Sequence, residues 1–126
     1  MIDIERHIAY WRDGAAEDWE VANDLLAGDH LRQGLFLAHL ALEKVLKAHV
    51  CRHTKQVPPK IHNLPRLAEI AALPLDQAQR DTLADMNPFS RLARYPDLFI
   101  PLPSPDKAKD VFGRAAEVYQ WLKSQL

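Results

Sequence analysis

The chain has 126 residues, of which 48% are apolar and 26% charged, so it has the length and composition of one domain with a continuous core. Its single cysteine, Cys51, excludes an intrachain disulfide and a metal site built from cysteine pairs. The first residues lack the pattern of a secretory signal, and charges interrupt every apolar stretch before membrane-spanning length. We therefore expect one domain, residues 1–126, with a cytoplasmic location and no membrane partner.

The formal net charge of −1 hides an uneven distribution of charge along the chain. Residues 1–29 carry eight acidic residues and two arginines, a net charge of −6. Residues 30–68 carry seven Lys or Arg and one acidic residue, a net charge of +6, and no acidic residue occurs from Lys44 to Arg66. This segment predicts a basic surface that attracts an anionic ligand.

The first half of the chain predicts a helical hairpin. Apolar residues recur at steps of three and four, which indicates a first helix over residues 4–27. Gly28 is the expected C-terminal cap with positive φ, and Asp29 is the expected N-cap of a second helix over residues 30–54. The second helix is apolar almost all round over residues 35–42, which is typical of the central helix of a bundle.

Proline and capping residues divide the next part of the chain. Pro58-Pro59 ends the second helix, because proline lacks the backbone donor and restricts the residue before it. Asn63 is the predicted N-cap of a third helix with Pro65 in its first turn. Asp76 with Gln79 resembles a capping box that begins a fourth helix.

The last part of the chain predicts a long loop and a final helix. The stretch from Phe89 to Pro103 is interpreted as a loop with one short helical turn, and its length favours a functional role as a cover over a ligand site. Ser104-Pro105 is typical of a helix start, and the apolar spacing after it continues to the end. The chain is therefore predicted to be all-α, with five helices.

Several familiar chemical sites find little support in the sequence. The glycines are isolated, so no glycine-rich phosphate loop is present. His49 and His53 lie four residues apart and could both touch a metal, but they are more typical of a solvated basic patch, and we expect no metal or cofactor. Helical spacing places all three tryptophans, Trp11, Trp19 and Trp121, in the core.

Four short motifs follow one another along the chain. They are Tyr10-Trp11, Ala41-Leu42-Glu43-Lys44-Val45-Leu46-Lys47-Ala48, His62-Asn63-Leu64-Pro65-Arg66-Leu67 and Arg94-Tyr95-Pro96-Asp97. In this order they resemble a HEPN domain over nearly the whole chain. The resemblance implies a five-helix up-and-down bundle that is usually a homodimer, is often encoded beside a minimal nucleotidyltransferase and is proposed to bind nucleotides. It also implies a toxin-antitoxin pair, since many relatives are the toxin half of one.

The resemblance and the basic segment together suggest a set of ligand-binding residues. The candidate nucleotide-binding residues are Lys44, Lys47, His62, Arg91, Arg94 and Tyr95. The cations would hold phosphates, while Tyr95 could stack on a base. An alternative is a structural polar network. In it, Glu43 and Asp97 supply the negative charge that fixes the second helix against the turn at residues 94–97.

Two other functions remain open at the level of sequence. HEPN relatives that act as metal-independent RNases carry an Arg followed within a few residues by a polar residue and a His. Here only Arg32 and His39 have such a spacing, within the central helix, so we assign no catalytic residue and favour a binding role. The alternatives are an RNase toxin that acts as a dimer and a purely structural subunit. The expected partners are a second copy, a minimal nucleotidyltransferase, and a nucleotide or RNA.

Overall fold

The computed structural model describes residues 2–92 and 101–126, and these residues form an all-α bundle without a strand. Its helices are α1 (Ile4–Ala27), α2 (Leu31–Thr54), α3 (Leu64–Ile70), α4 (Gln77–Met86) and α5 (Pro105–Ser124). A 3-10 helix, Asn87–Arg91, continues directly from α4. The predicted five-helix bundle is confirmed. The expected cover over the site falls largely on residues 93–100, outside the described residues.

Helix α2 is the central element of the bundle. Fourteen of its 24 residues are buried, and it packs against α1, α3, α5 and the 3-10 helix. It lies so close to α1 that a Cβ built on Gly34 would be 1.9 Å from Leu26 Cδ2. The run of apolar residues over 35–42 correctly indicated this central position, because a helix that is covered on several sides needs apolar residues on several faces.

The turn between α1 and α2 differs from the prediction. Gly28 has a φ of −89°, and the left-handed conformation belongs to Asp29, with a φ of 63°. The N–H of Asp29 donates to the carbonyl oxygen of Leu26, and the N–H of His30 donates to that of Leu25. These bonds form a Schellman motif, whose left-handed position falls one residue after the cap. Asp29 therefore ends α1 and does not cap α2, whose N-cap is His30.

The other predicted helix starts are confirmed. The side chain of Asn63 accepts a hydrogen bond from the N–H of Arg66 at the start of α3. Both hydrogen bonds of the capping box join Asp76 and Gln79 at the start of α4. Ser104 caps α5 with proline in the first turn. These are local signals, because the capping side chain and its backbone donor lie three residues apart.

The core divides into a main cluster and a smaller one. In the main cluster Trp19 stacks against Phe112 and Tyr119 of α5, with ring centroids 5.0 and 4.7 Å apart. The smaller cluster contains Ile8 and Cys51, and burial raises the pKa of the Cys51 thiol.

The three tryptophans do not share one environment. Trp19 is buried, as predicted, whereas Trp11 and Trp121 are only partly buried. The helical spacing correctly places these residues on the inward faces of α1 and α5, but neighbouring helices cover Trp11 and Trp121 less completely than Trp19.

In the described part of the chain, every helix is too short or too polar to cross a lipid bilayer.

Candidate functional site

The buried carboxylate of Glu43 is the centre of a polar cluster on α2. Its Oε2 accepts a hydrogen bond from Lys47 Nζ at 3.1 Å, and its Oε1 lies 2.9 Å from His62 Nδ1. His39 Nδ1 lies 4.0 Å from the same Oε1. Glu43 is 4% exposed, and a charge at such depth is tolerated only when partners compensate for its lost hydration. We call Glu43, Lys47 and His62 the Glu43 cluster.

The helices bring the Glu43 cluster together in two ways. Lys47 lies one helical turn after Glu43, the spacing that aligns side chains on one face. His62 comes from the segment before α3, 19 residues away. That segment is held in place because the N–H of Leu64 donates to Asn87 Oδ1 at 2.9 Å. The start of α3 and the 3-10 helix thus position His62.

His62 is the exposed member of the Glu43 cluster. Its side chain is 51% exposed, while that of Glu43 is 5% exposed. A carboxylate can only accept from His62 Nδ1, so Nδ1 carries the hydrogen and Nε2 is the ring nitrogen left to bind solvent or a ligand. The cluster therefore presents one oriented imidazole at the surface above a buried ion pair.

Lys47 also contacts α1. Its Nζ lies 5.2 Å from the centroid of the Trp11 ring, within the range of a cation–π interaction. The neighbouring Tyr10 meets the Trp11 ring edge-on, with centroids 5.0 Å apart. Trp11 thereby connects the Glu43 cluster to the surface of α1.

An apolar pocket adjoins Trp11 at the amino-terminal end of α1. It has a volume of about 290 Å³ and is lined by Arg6, His7, Tyr10, Trp11 and Val57. The first four residues come from α1, and Val57 comes from the segment after α2. We call this cavity the Tyr10 pocket.

Lys44 does not join the Glu43 cluster. Its Nζ forms an ion pair with Asp18 of α1 at 2.8 Å, and both side chains are largely shielded from solvent. The stem of Lys44 passes next to Gly14, where a built Cβ would lie 3.3 Å from Lys44 Cδ. The cation of Lys44 is thus neutralised between the two long helices.

The other predicted site residues lie at or beyond the end of the 3-10 helix. Arg91 is exposed there. Arg94, Tyr95 and Asp97 lie outside the described residues. The structure thus brings two of the six candidate ligands, Lys47 and His62, to one carboxylate.

Sequence reasoning missed two neighbours of the Glu43 cluster. His39 precedes Glu43 by one helical turn, so its spacing could have revealed it. Trp11 lies on another helix, and its contact with Lys47 depends on how α1 and α2 are aligned. No local pattern in the sequence predicts how α1 and α2 are aligned.

His49 departs from the expected solvated basic patch. It is 6% exposed and its Nε2 bonds to the backbone carbonyl oxygen of Leu122, whereas His53 is exposed. The two side chains therefore differ in environment although they are one helical turn apart. Among residues 2–92 and 101–126 no group of three His, Cys, Asp or Glu side chains could hold a metal ion.

Comparisons with known proteins identify the family and the fold of this chain. A family model described as the HEPN domain matches residues 8–125. The chain belongs to the HEPN domain family. A crystal structure of an archaeal HEPN homologue is similar, with a TM-score of 0.69 at 18% identity, covering 99% of this chain and 98% of that chain. This similarity shows a common fold. A search of curated proteins finds no match.

In this HEPN domain, the residues with the RNase-like spacing do not form an open site. His39 is 1% exposed, and its Nδ1 faces the buried carboxylate of Glu43. Arg32 is partly buried near the start of α2. A substrate phosphate could reach His39 only if the surrounding helices separated.

Proposed function

We propose that this HEPN domain is a nucleotide-binding and partner-binding component, and that the nucleotide phosphates contact the Glu43 cluster at His62. The single supporting observation is the geometry of that cluster. Glu43 fixes Lys47 and the half-exposed ring of His62 side by side, with one ring nitrogen left for a ligand. Orienting the ring before the ligand arrives reduces the entropy lost on binding, and the imidazolium form would donate from Nε2 to a phosphate oxygen.

The charge around His62 supports an anionic ligand. Glu43 and Lys47 carry opposite charges, so the pair beside His62 has no net charge and does not repel an anion. Lys60 is exposed two residues earlier, within the segment that contains no acidic residue. Charge-assisted hydrogen bonds from such groups are the usual contacts of phosphate oxygens.

The proposal is narrower than the set of residues suggested by the sequence. Asp18 already neutralises Lys44, so a phosphate contact there would require breaking a 2.8 Å ion pair. We therefore assign direct contact to His62, with Lys47 as its charged neighbour. The roles of Arg91, Arg94 and Tyr95 as further phosphate and base contacts remain part of the proposal.

Calorimetric titration with ATP, GTP, UTP and adenosine tests the binding role. We expect the nucleoside triphosphates to bind more tightly than adenosine, which has no phosphate. His62→Ala should weaken binding about tenfold, the loss typical of one charge-assisted hydrogen bond. Lys109→Ala, which removes an exposed cation on α5, is the matched control and should leave the affinity unchanged. Absence of heat at millimolar nucleotide would contradict nucleotide binding.

The structural alternative predicts a different result for the same variants. If the Glu43 cluster serves only to hold α2 against the start of α3, His62→Ala would lower the melting temperature and no nucleotide would bind to either protein. A thermal melt of His62→Ala with and without ATP therefore separates the two roles. Stabilisation of the wild type by ATP, lost in the variant, supports the binding role.

The proposed protein partner is a minimal nucleotidyltransferase, in a pair that works like a toxin and its antitoxin. The support is the family membership, since the resemblance implies this pairing. Affinity purification from the native host, with mass spectrometry of the copurifying proteins, tests it. Recovery of a nucleotidyltransferase at a fixed ratio is expected, and its absence from repeated purifications would contradict the pairing.

We also propose a homodimer with a two-fold contact, the arrangement expected for identical subunits. Sedimentation velocity over a range of concentrations measures the state directly. A dimer is expected at about tens of micromolar, the range of ordinary weak self-association. A sedimentation coefficient of the monomer throughout that range would contradict this part of the proposal.

A further inference from the structure

The Tyr10 pocket is an exposed apolar surface that the nucleotide proposal does not use. Tyr10 is 68% exposed and Val57 is 54% exposed, and both are among the most exposed large apolar side chains of the described residues. Two such side chains at one cavity form a patch, whereas isolated exposed apolar residues are common on any surface. A patch of this kind marks a place where another molecule removes apolar area from water.

The indole of Trp11 adds a second feature to the pocket. Its Nε1 is buried and has no hydrogen-bond partner among the described residues. Aromatic side chains with a polar atom are also frequent at the energetic centres of protein interfaces.

The edge of the pocket is basic. Arg6 and His7 line it directly, and Val57 belongs to the segment of the chain without acidic residues. Exposed cations before and after Val57 in the chain are Arg52, Lys55 and Lys60. Of the nearby acids, Asp3 is occupied as the N-cap of α1, where its side chain accepts from the N–H of Arg6. The residues that line the apolar centre therefore include a cation, Arg6, and no acid, which complements a negatively charged partner.

We propose that the Tyr10 pocket docks a short acidic segment of a partner protein. One aromatic or large aliphatic side chain of that segment fills the cavity against Tyr10, Trp11 and Val57. Carboxylates on either side of this anchor face Arg6 and His7. The arrangement follows the usual anatomy of a protein interface, with an apolar centre and a charged rim.

A polypeptide fits this surface better than a membrane of anionic lipid. The pocket is open, and its volume of about 290 Å³ admits a single projecting side chain. Glu5, in the first turn of α1, is also exposed, and it would repel an anionic membrane. A peptide segment can place its carboxylates away from this residue.

Fluorescence anisotropy with synthetic peptides tests the proposal. The probe is a labelled twelve-residue peptide with a central Phe flanked by Glu and Asp on a Gly-Ser background. One control peptide replaces the Phe with Ala, and a second replaces each acid with Lys. We expect the acidic Phe probe to bind at least about tenfold more tightly than either control, because each control removes one of the two interactions.

Variants of the full chain locate the binding surface with matched controls. Val57→Ser and Tyr10→Ala should each weaken binding of the acidic Phe probe about fivefold or more. Val21→Ser is the control for Val57, because Val21 is an exposed valine, 45% exposed, on another part of the surface. Arg6→Glu should weaken binding about tenfold, whereas Arg12→Glu, a change at another exposed arginine of α1, should not. Circular dichroism confirms that each variant is folded.

Three outcomes would overturn the proposal. The first is equal affinity for the acidic, basic and Ala peptides, and the second is unchanged binding in Val57→Ser and Tyr10→Ala. The third is binding of phosphatidylserine vesicles or a single-stranded oligonucleotide that depends on Tyr10 and Arg6 when the acidic Phe probe does not bind. None of these variants replaces a residue of the Glu43 cluster, so failure here leaves the nucleotide titrations of the wild type as an independent result.

Discussion

The Nε2 atom of His49 donates a hydrogen bond to the backbone carbonyl oxygen of Leu122, over a distance of 2.8 Å. The bond joins the buried middle of the bundle to the last turn of α5. The carbonyl oxygen of Leu122 also accepts from the N–H of Gln125 at 3.2 Å, so His49 uses its second lone pair. The neutral imidazole is sufficient for this bond, because it can carry the hydrogen on Nε2.

Acidification should destabilise the protein through His49. Burial lowers the pKa of His49 in the folded state, and the charge of Arg52 lowers it further, while the bond to Leu122 acts in the opposite direction. The unfolded chain therefore binds a proton more readily than the folded chain, so the stabilising contribution is complete above about pH 6.5 and falls as the pH decreases below it. Urea unfolding between pH 8 and pH 5 measures this dependence. His49→Gln should show a shallower pH dependence, and an identical slope in both proteins would contradict the role of His49.

Removal of the buried carboxylate of Glu43 should lower the free energy of unfolding more than removal of the exposed carboxylate of Glu69. Glu43→Leu leaves Lys47 buried without its partner, so we expect the free energy of unfolding to fall by about 3 kcal/mol or more. The double variant Glu43→Leu with Lys47→Met removes both charges and should recover much of this loss. Glu69→Leu, which breaks the exposed pair with Arg66, is the control and should cost less than about 1 kcal/mol. An equal decrease in the free energy of unfolding for the two glutamate variants, measured by urea unfolding, would contradict this effect of burial.

Two glycines should respond in opposite ways to the same substitution. Gly34→Ala places a Cβ 1.9 Å from Leu26 Cδ2 and 3.3 Å from Leu26 N, so the buried Leu26 side chain must move and the tight contact of α1 with α2 must adjust, and we expect a loss of about 2 kcal/mol. Gly113 lies on α5, and a Cβ built there has no atom within 4 Å. Gly113→Ala should therefore stabilise the protein by about 0.5–1 kcal/mol through helix propensity. Differential scanning calorimetry of both variants tests the pair. A higher melting temperature for Gly34→Ala would contradict the close approach of the helices.

Replacing Ala72 with glycine should stabilise the end of α3. Ala72 has a φ of 54°, a left-handed conformation that is unfavourable for any residue with a Cβ. Its N–H donates to the carbonyl oxygen of Glu69, and that of Leu73 donates to Ala68, so the Schellman motif requires this conformation. Ala72→Gly should raise the free energy of unfolding by about 0.5 kcal/mol. Ala84→Gly, at an exposed position within α4, is the control and should lower it by about 0.5–1 kcal/mol.

Local signals in the sequence were enough to locate the helices and most of their starts. Asn63, Asp76 and Ser104 each cap a donor three residues away, so a short window of sequence contains the whole interaction. The turn at residues 28–29 was misplaced because both Gly and Asp tolerate positive φ. Which of the two adopts it depends on where the last turn of α1 ends.

The candidate site was less accessible to sequence reasoning because its contacts join distant segments. Lys47 is one helical turn from Glu43, and that pair could be read from spacing alone. The contact of His62 with Glu43 depends on the docking of α3 beside α2, and the pairing of Lys44 with Asp18 depends on the alignment of α1 and α2. The sequence identified these residue types without identifying their partners.

Because Cys51 is buried, the rate at which its thiol is labelled reports local opening of the fold. The thiol is 0% exposed beneath Ile8, and burial raises its pKa, so both access and ionisation protect it from alkylating reagents. Because it is the only cysteine in the chain, mass spectrometry after labelling with iodoacetamide counts a single event per molecule. The labelling rate in native buffer therefore measures how often the contacts that cover Cys51, from α1 and from Leu126, open, without the introduction of any probe.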